Sequence, residues 1–158
     1  MKIEDFEGRK PTLLLERYFS GSSIGWGIMQ SRFGALQRQF RIAAEGSFDE
    51  ASRSLSLTET YRFDDGQIDR LDWTILKRDD DRYEGRETRI EDVAEGEQAG
   101  NAFHWRYSRN VPAKDGSESM LGFDDWFWLQ DPETLVARAS VTKLGIEIAT
   151  LSVFYRKS

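Results

Sequence analysis

Along most of the chain apolar and polar residues alternate with a period of two, and the spacing of an amphipathic helix is nearly absent. In LSLTETYRF (55–63), Leu55, Leu57, Glu59, Tyr61 and Phe63 share one face, while Ser56, Thr58, Thr60 and Arg62 share the other. That pattern predicts a strand. Asp65-Gly66 then supplies a hairpin turn, and the following strand places Leu71, Trp73 and Ile75 on one face. RDDDR (78–82) predicts the next turn and 83–90 the next strand. GNAFHWRY (100–107) sets Asn101, Phe103, Trp105 and Tyr107 against Ala102, His104 and Arg106, and 111–119 reads as a loop. Strands follow over 120–130 and 134–142, joined through Asp131-Pro132, and a last one runs over 146–156. Upstream, 24–30 and 36–46 are strand-like, with Phe33-Gly34 turning between them. PTLLLERYF (11–19) is the one stretch that suits a short helix or an irregular start.

The sum is about nine or ten short strands joined mostly by tight turns. A meander of that kind must hide its edge strands, and closure into an up-and-down antiparallel β-barrel does so. The expected fold is therefore all-β, a single barrel domain over residues 1–158, with room inside for side chains or one small ligand. The last strand should pair with an early one.

Composition narrows the function. The 158 residues carry a net charge of −6, so no basic stripe for nucleic acid is expected. Cysteine is absent, which removes disulfides, thiolate metal sites and cysteine nucleophiles. With a single histidine, His104, a transition-metal centre is not expected, and neither metal nor cofactor is predicted. Asp64-Asp65 and Asp79-Asp80-Asp81 lack the ligand spacing of a calcium loop and read as solvated turns. No apolar run approaches the roughly 18 residues of a membrane span. The opening MKIEDFEGRKP has no apolar segment of signal-peptide type, which predicts a soluble, cytoplasmic protein; an envelope location would need a leader removed from it.

Further residues carry a family resemblance. They run through Phe6, Gly8, Pro11, Tyr18-Phe19-x-Gly21, Gly27 and Arg32-x-Gly34, then Tyr61-x-Phe63-Asp64-Asp65-Gly66, Trp73 and Tyr83-x-Gly85. They continue in Gly96, Gly100-Asn101-Ala102, Trp105-x-Tyr107, Phe123-Asp124-Asp125-Trp126, Leu129-Gln130-Asp131 and Lys143-x-Gly145. In these positions the chain resembles the bacterial family known as domain of unknown function 3833, many of whose members are lipoproteins. The resemblance implies a lipocalin-like (calycin) barrel and points towards lipid ligands. The chain departs from the family pattern in lacking the leader and lipid-bearing cysteine, and at Glu87, Arg89 and Asp92. Gly25-Trp26-Gly27 also resembles the lipocalin signature whose indole plugs one barrel end; the alternative is a core tryptophan between two turn-permissive glycines.

Three ionisable residues stand on faces that otherwise read as apolar. Glu59 lies between Leu57 and Tyr61, Asp125 on the row of Leu121, Phe123, Phe127 and Leu129, and Lys143 on the row of Leu135, Ala137, Ala139 and Val141. Alternation turns Asp125 inward and Asp124 outward beside Trp126. The inward trio reads either as a polar anchor for a ligand's head group or as an ion-pair network, Asp125 with Lys143, that closes the barrel. The expected ligand site comprises Trp26, Tyr61, Trp73, Phe103, Trp105, Phe123 and Phe127, with Glu59, Asp125 and Lys143 as anchors and Asn101 and Tyr107 beside them. Asn101 has a second reading, as a turn residue bonding only to backbone. The expected function is non-catalytic binding of a small lipophilic or amphiphilic, fatty-acid-like molecule. The alternatives are carboxylate acid–base chemistry on such a molecule and a filled barrel working through its outer face.

Overall fold

Ten antiparallel strands pair in sequence order and then close on themselves, the last against the first. The computed structural model describes residues 1–113 and 115–158. The strands are β1 (Gly21–Ser31), β2 (Leu36–Asp49), β3 (Ser54–Phe63), β4 (Ile68–Lys77) and β5 (Arg82–Arg86). They continue as β6 (Ile90–Ala99), β7 (Ala102–Pro112), β8 (Glu118–Asp131), β9 (Thr134–Lys143) and β10 (Ile146–Lys157). Closure is made by β1 with β10, where Gly25 faces Tyr155 and Trp26 faces Phe154. No helix among the described residues is long and apolar enough to cross a membrane.

The alternation holds in detail. Leu55, Leu57 and Glu59 of β3, Leu71, Trp73 and Ile75 of β4, and Leu135, Ala137, Ala139 and Val141 of β9 are buried, with their neighbours on the outer face. The stretch expected to be one strand over 83–90 is instead two, because Glu87–Arg89 turns the chain from β5 into β6. β6 has no apolar row to advertise it: its inward buried positions are Ala94 and Gly96, and its ladder to β7 is irregular between Glu91 and Glu95.

One end of the barrel is filled by the segment before β1. The single-turn helix α1 (Leu15–Tyr18) and its flanks bury Leu13, Leu15, Tyr18 and Phe19 in the main core. Burying an aliphatic or aromatic side chain of this size stabilises by about 1.5–3 kcal/mol. The plug presses so closely on β2 that a Cβ on Gly46 would stand 2.0 Å from the Phe19 carbonyl oxygen. Polar groups fasten it as well. Glu16 accepts hydrogen bonds from Lys77 and Tyr83, both at 2.6 Å, and the Tyr18 hydroxyl donates to the Glu133 carbonyl. Lys157 donates to the Tyr18 and Ser20 carbonyls at the helix's C-terminal end, where a cation suits the exposed carbonyls.

A smaller apolar cluster lies outside the barrel. A short 3-10 turn (Ile3–Phe6) lays Phe6 against Trp126 and Ala102, with Ile3 and Trp128 at the margin.

Candidate ligand-binding site

Among the described residues the barrel end opposite the plug carries no helix, and inward residues towards that end, such as Met29, Val111, Leu121 and Leu151, are only half-buried. Beneath them lies a cavity of about 220 Å³. A water occupies about 30 Å³, so the space holds several waters or one ligand of modest size. Its wall is dominated by aromatic rings. Trp73 packs edge-on against Tyr107 with centroids 5.2 Å apart, and Tyr107 stacks on Phe123 at 5.0 Å. Trp105 has space because β5 and β6 present glycines to it: a Cβ on Gly85 or Gly96 would lie within 2.6 Å of its ring.

Two carboxyls project into this aromatic space. Glu59, on β3, is 8% exposed and accepts a hydrogen bond from the Tyr155 hydroxyl at 3.1 Å. Asp125, on β8 between Trp105 of β7 and Ala139 of β9, accepts a long 3.3 Å bond from the Tyr107 hydroxyl. Its other oxygen, Oδ1, is enclosed and has no hydrogen-bond partner. The residue keeps some accessible area, and that area belongs to the cavity wall, which Asp125 helps to form.

Burial disfavours the charged form of both groups. Glu59 is pushed up to about 7 by burial, against the opposing hydrogen bonds from Tyr155 and Trp73 and the positive charge of Arg109. Asp125 is pushed well above the usual carboxylate range by burial; Tyr107's hydrogen bond opposes this, while the negative charges of Glu59 and Asp124 add to it. Tyr61, Tyr107 and Tyr155 are raised far above their ordinary value, by burial first and then by these carboxyls, so their hydroxyls stay neutral donors.

The cations at the cavity are already engaged. Arg109, only 3% exposed, donates to Asp69 at 2.9 and 3.2 Å and to Glu87 at 3.3 Å. Arg89 meets the same Asp69 at 3.1 Å. Arg38 lies over the Phe63 ring and bonds to Gln67 and Asp65. Arg138 touches the cavity rim from β9, but it stands between inward Ala137 and Ala139 and is exposed. Arg109 continues the period-two row of Phe103, Trp105 and Tyr107, and that continuation was the signal by which sequence reasoning could have found it.

Most of the expected site residues meet at this cavity: Glu59, Tyr61, Trp73, Phe103 and Trp105 line it, as do Tyr107, Phe123, Asp125 and Phe127. Three do not. Trp26 is on the outer face, 40% exposed, beside Phe154. The inward positions of β1 are its flanking glycines, because Gly27 must admit the Phe40 ring, which a Cβ there would approach to 2.3 Å. Lys143 is exposed at the end of β9 and makes no pair with Asp125. Asp125 lies opposite Ala139, four residues earlier, and at about 3.4 Å per residue that separates the two by roughly 13 Å. Asn101 sits in the β6–β7 turn at the plugged end and donates to the Leu129 carbonyl at 3.2 Å. Asp124 does face out. Its Oδ1 lies 2.6 Å from Nε2 of His104, whose ring stacks on Trp126 at 4.0 Å.

Known proteins share this architecture at low sequence identity. The S-type phycobiliprotein lyase CPES from Guillardia theta superposes with a TM-score of 0.66 at 12% identity, over 100% of this chain and 98% of that one. A protein with unknown function from the DUF3598 family, from Nostoc punctiforme, superposes with a TM-score of 0.59 at 10% identity, over 95% of this chain and 51% of that one. Both likenesses establish the lipocalin-like barrel fold. No curated protein matches the sequence. A family model does, over residues 1–157: the chain belongs to the family described as "Protein of unknown function (DUF3833)".

Proposed function

We propose that the barrel binds a small lipophilic or amphiphilic molecule in its cavity, fatty-acid-like in having an apolar body and one polar head. The observation that carries this reading is the pairing of an aromatic cavity with two inward carboxyls, one of which, Asp125, the chain itself only partly satisfies. A filled barrel would have packed apolar side chains there, since an unpartnered buried polar atom costs about 1–3 kcal/mol. Apolar surface removed from water supplies the affinity, and the few polar groups fix orientation. Among structures of the same fold, CPES is a phycobiliprotein lyase, a protein named for acting on another protein; the present reading assigns this chain only the occupant of the cavity.

A second reading has one observation in its favour. Glu59, held near pH 7, is poised to exchange a proton with a bound molecule. Binding without turnover of the bound molecule separates the carrier from the enzyme.

The test uses the neutral fluorescent probe N-phenyl-1-naphthylamine. Its emission should rise saturably with the wild-type protein and not with Ala139→Phe, which puts a ring into the cavity opposite Asp125. Equal responses from the two proteins, with the variant's fold verified by circular dichroism, would contradict the proposal.

A further inference from the structure

We infer that the head group this cavity receives is a basic one, an amine or related organic cation of an otherwise apolar molecule. This deepens the proposed function and rests on it.

The argument begins with which charges are already balanced. Two cations that line the cavity have anionic partners from the same chain: Arg109 is held by Asp69 and Glu87, and Arg38 by Asp65, although Arg38 Nε is left without a hydrogen-bond partner. The two carboxyls deeper in the wall have none. Glu59 is met by hydroxyl and indole donors, Asp125 by one tyrosine hydroxyl at 3.3 Å, and Asp125 Oδ1 by nothing. Among the described residues, no side-chain cation is hydrogen-bonded or ion-paired to either acid of this cavity.

A ligand with an ionised carboxylate would add negative charge beside acids whose own charged forms burial already disfavours. An ammonium would supply the missing donor to Asp125 Oδ1 and an opposite charge at once. Charge-assisted hydrogen bonds of that type are about twice as strong as neutral ones, and more so away from water. The surrounding rings add to this, because the faces of Trp and Tyr attract organic cations. Trp73, Tyr107 and Phe123 line the same cavity as the acids.

The groups that would govern the pH response can be named from every side. Asp125 faces Trp105 and Tyr107 from β7 and Ala139 from β9. Glu59 faces Ala44 from β2, Leu71 from β4, Trp73, Tyr61 and Tyr155, with Arg109 acting at longer range. Of these Glu59, pushed up to about 7, changes charge between pH 5 and pH 8. A primary alkylamine, like a lysine side chain, stays protonated up to about pH 10. Its affinity should therefore grow with pH over that interval, as Glu59 gives up its proton.

The experiment is displacement of N-phenyl-1-naphthylamine from the full chain by three molecules of one length: n-octylamine, n-octanol and n-octanoate. At pH 8 octylamine should displace at a concentration about tenfold or more below that of octanol, with octanoate the weakest. The ratio of octylamine to octanol should shrink at pH 5.5, and should collapse towards unity in Asp125→Asn and in Glu59→Gln. Octanol or octanoate displacing as well as octylamine would overturn the inference while leaving the proposed function standing. So would a ratio that survives both substitutions, since the amine would then be held elsewhere. Failure of the protein to take up the neutral probe at all would remove the proposed function, and the inference with it.

Discussion

Glu16 at the plugged end and Glu59 in the cavity are the same residue in opposite circumstances. Burial alone would raise Glu16, but hydrogen bonds from Lys77 and Tyr83 outweigh it and hold the carboxyl below its usual range. Glu59 has hydroxyl and indole donors and only the more distant charge of Arg109, and burial wins. Asp125 is more extreme in the same direction. At the plug the chain supplies Glu16 with a cation and a hydroxyl of its own, so this carboxyl serves stability. In the cavity the chain leaves an acceptor orphaned and forgoes stability that a simple apolar substitution would recover, a pattern found where a site is kept for something other than the fold.

The sharpest way to break the comparison is at Glu16. Glu16→Ala strands a Lys77 ammonium that is 11% exposed, and should cost about 3–5 kcal/mol in denaturant unfolding at pH 7. Because this carboxyl is held low, its stabilisation is present above pH 4.5 and is lost as the solution is acidified through the folded-state value. Glu59 should show the opposite sign. Its proton is held more tightly in the folded state, so the wild type should lose about 3 kcal/mol relative to Glu59→Gln as pH rises from 4.5 to about 7. Unfolding midpoints of the two proteins across that range give the difference directly. Asp125→Leu should stabilise the free protein by about 1–3 kcal/mol at pH 8, since an apolar side chain leaves no orphaned oxygen. The smallest effect belongs to Lys143→Ala, within about 0.5 kcal/mol, because the lysine is exposed and has no tie to Asp125. A larger loss there would revive the ion-pair reading that the register excludes.

Much of this was legible in the alternation of residues. Strand parity placed Asp125 inward and Asp124 outward, and the ladder agrees, with Asp125 opposite Trp105 and Asp124 opposite Arg106. Parity does not report depth along the barrel axis. Lys143 belongs to the inward row of β9 by count, yet it lies past the wall at the strand's end. Parity also misleads where the inward positions must be small. In β1 the apolar row of Ile24, Trp26 and Ile28 faces out, because Gly25 and Gly27 yield their space to the Tyr155 and Phe40 rings. The same cause hid β6, whose inward residues are an alanine and a glycine beneath Phe103 and Trp105. Arg109 stood on a readable row, but its partners come from other parts of the chain: Asp69 is near the start of β4 and Glu87 lies in the turn after β5. No local pattern joins them.

The central claim is that a ligand settles beside the cavity acids and away from the plug. Carbon-13 carboxyl resonances of Glu59, Asp125 and Glu16 can be followed together while N-phenyl-1-naphthylamine is added at pH 7. Saturable shifts at Glu59 and Asp125 with Glu16 unmoved are the predicted result. Probe binding that leaves Glu59 and Asp125 unmoved would place the ligand outside the barrel and contradict the account.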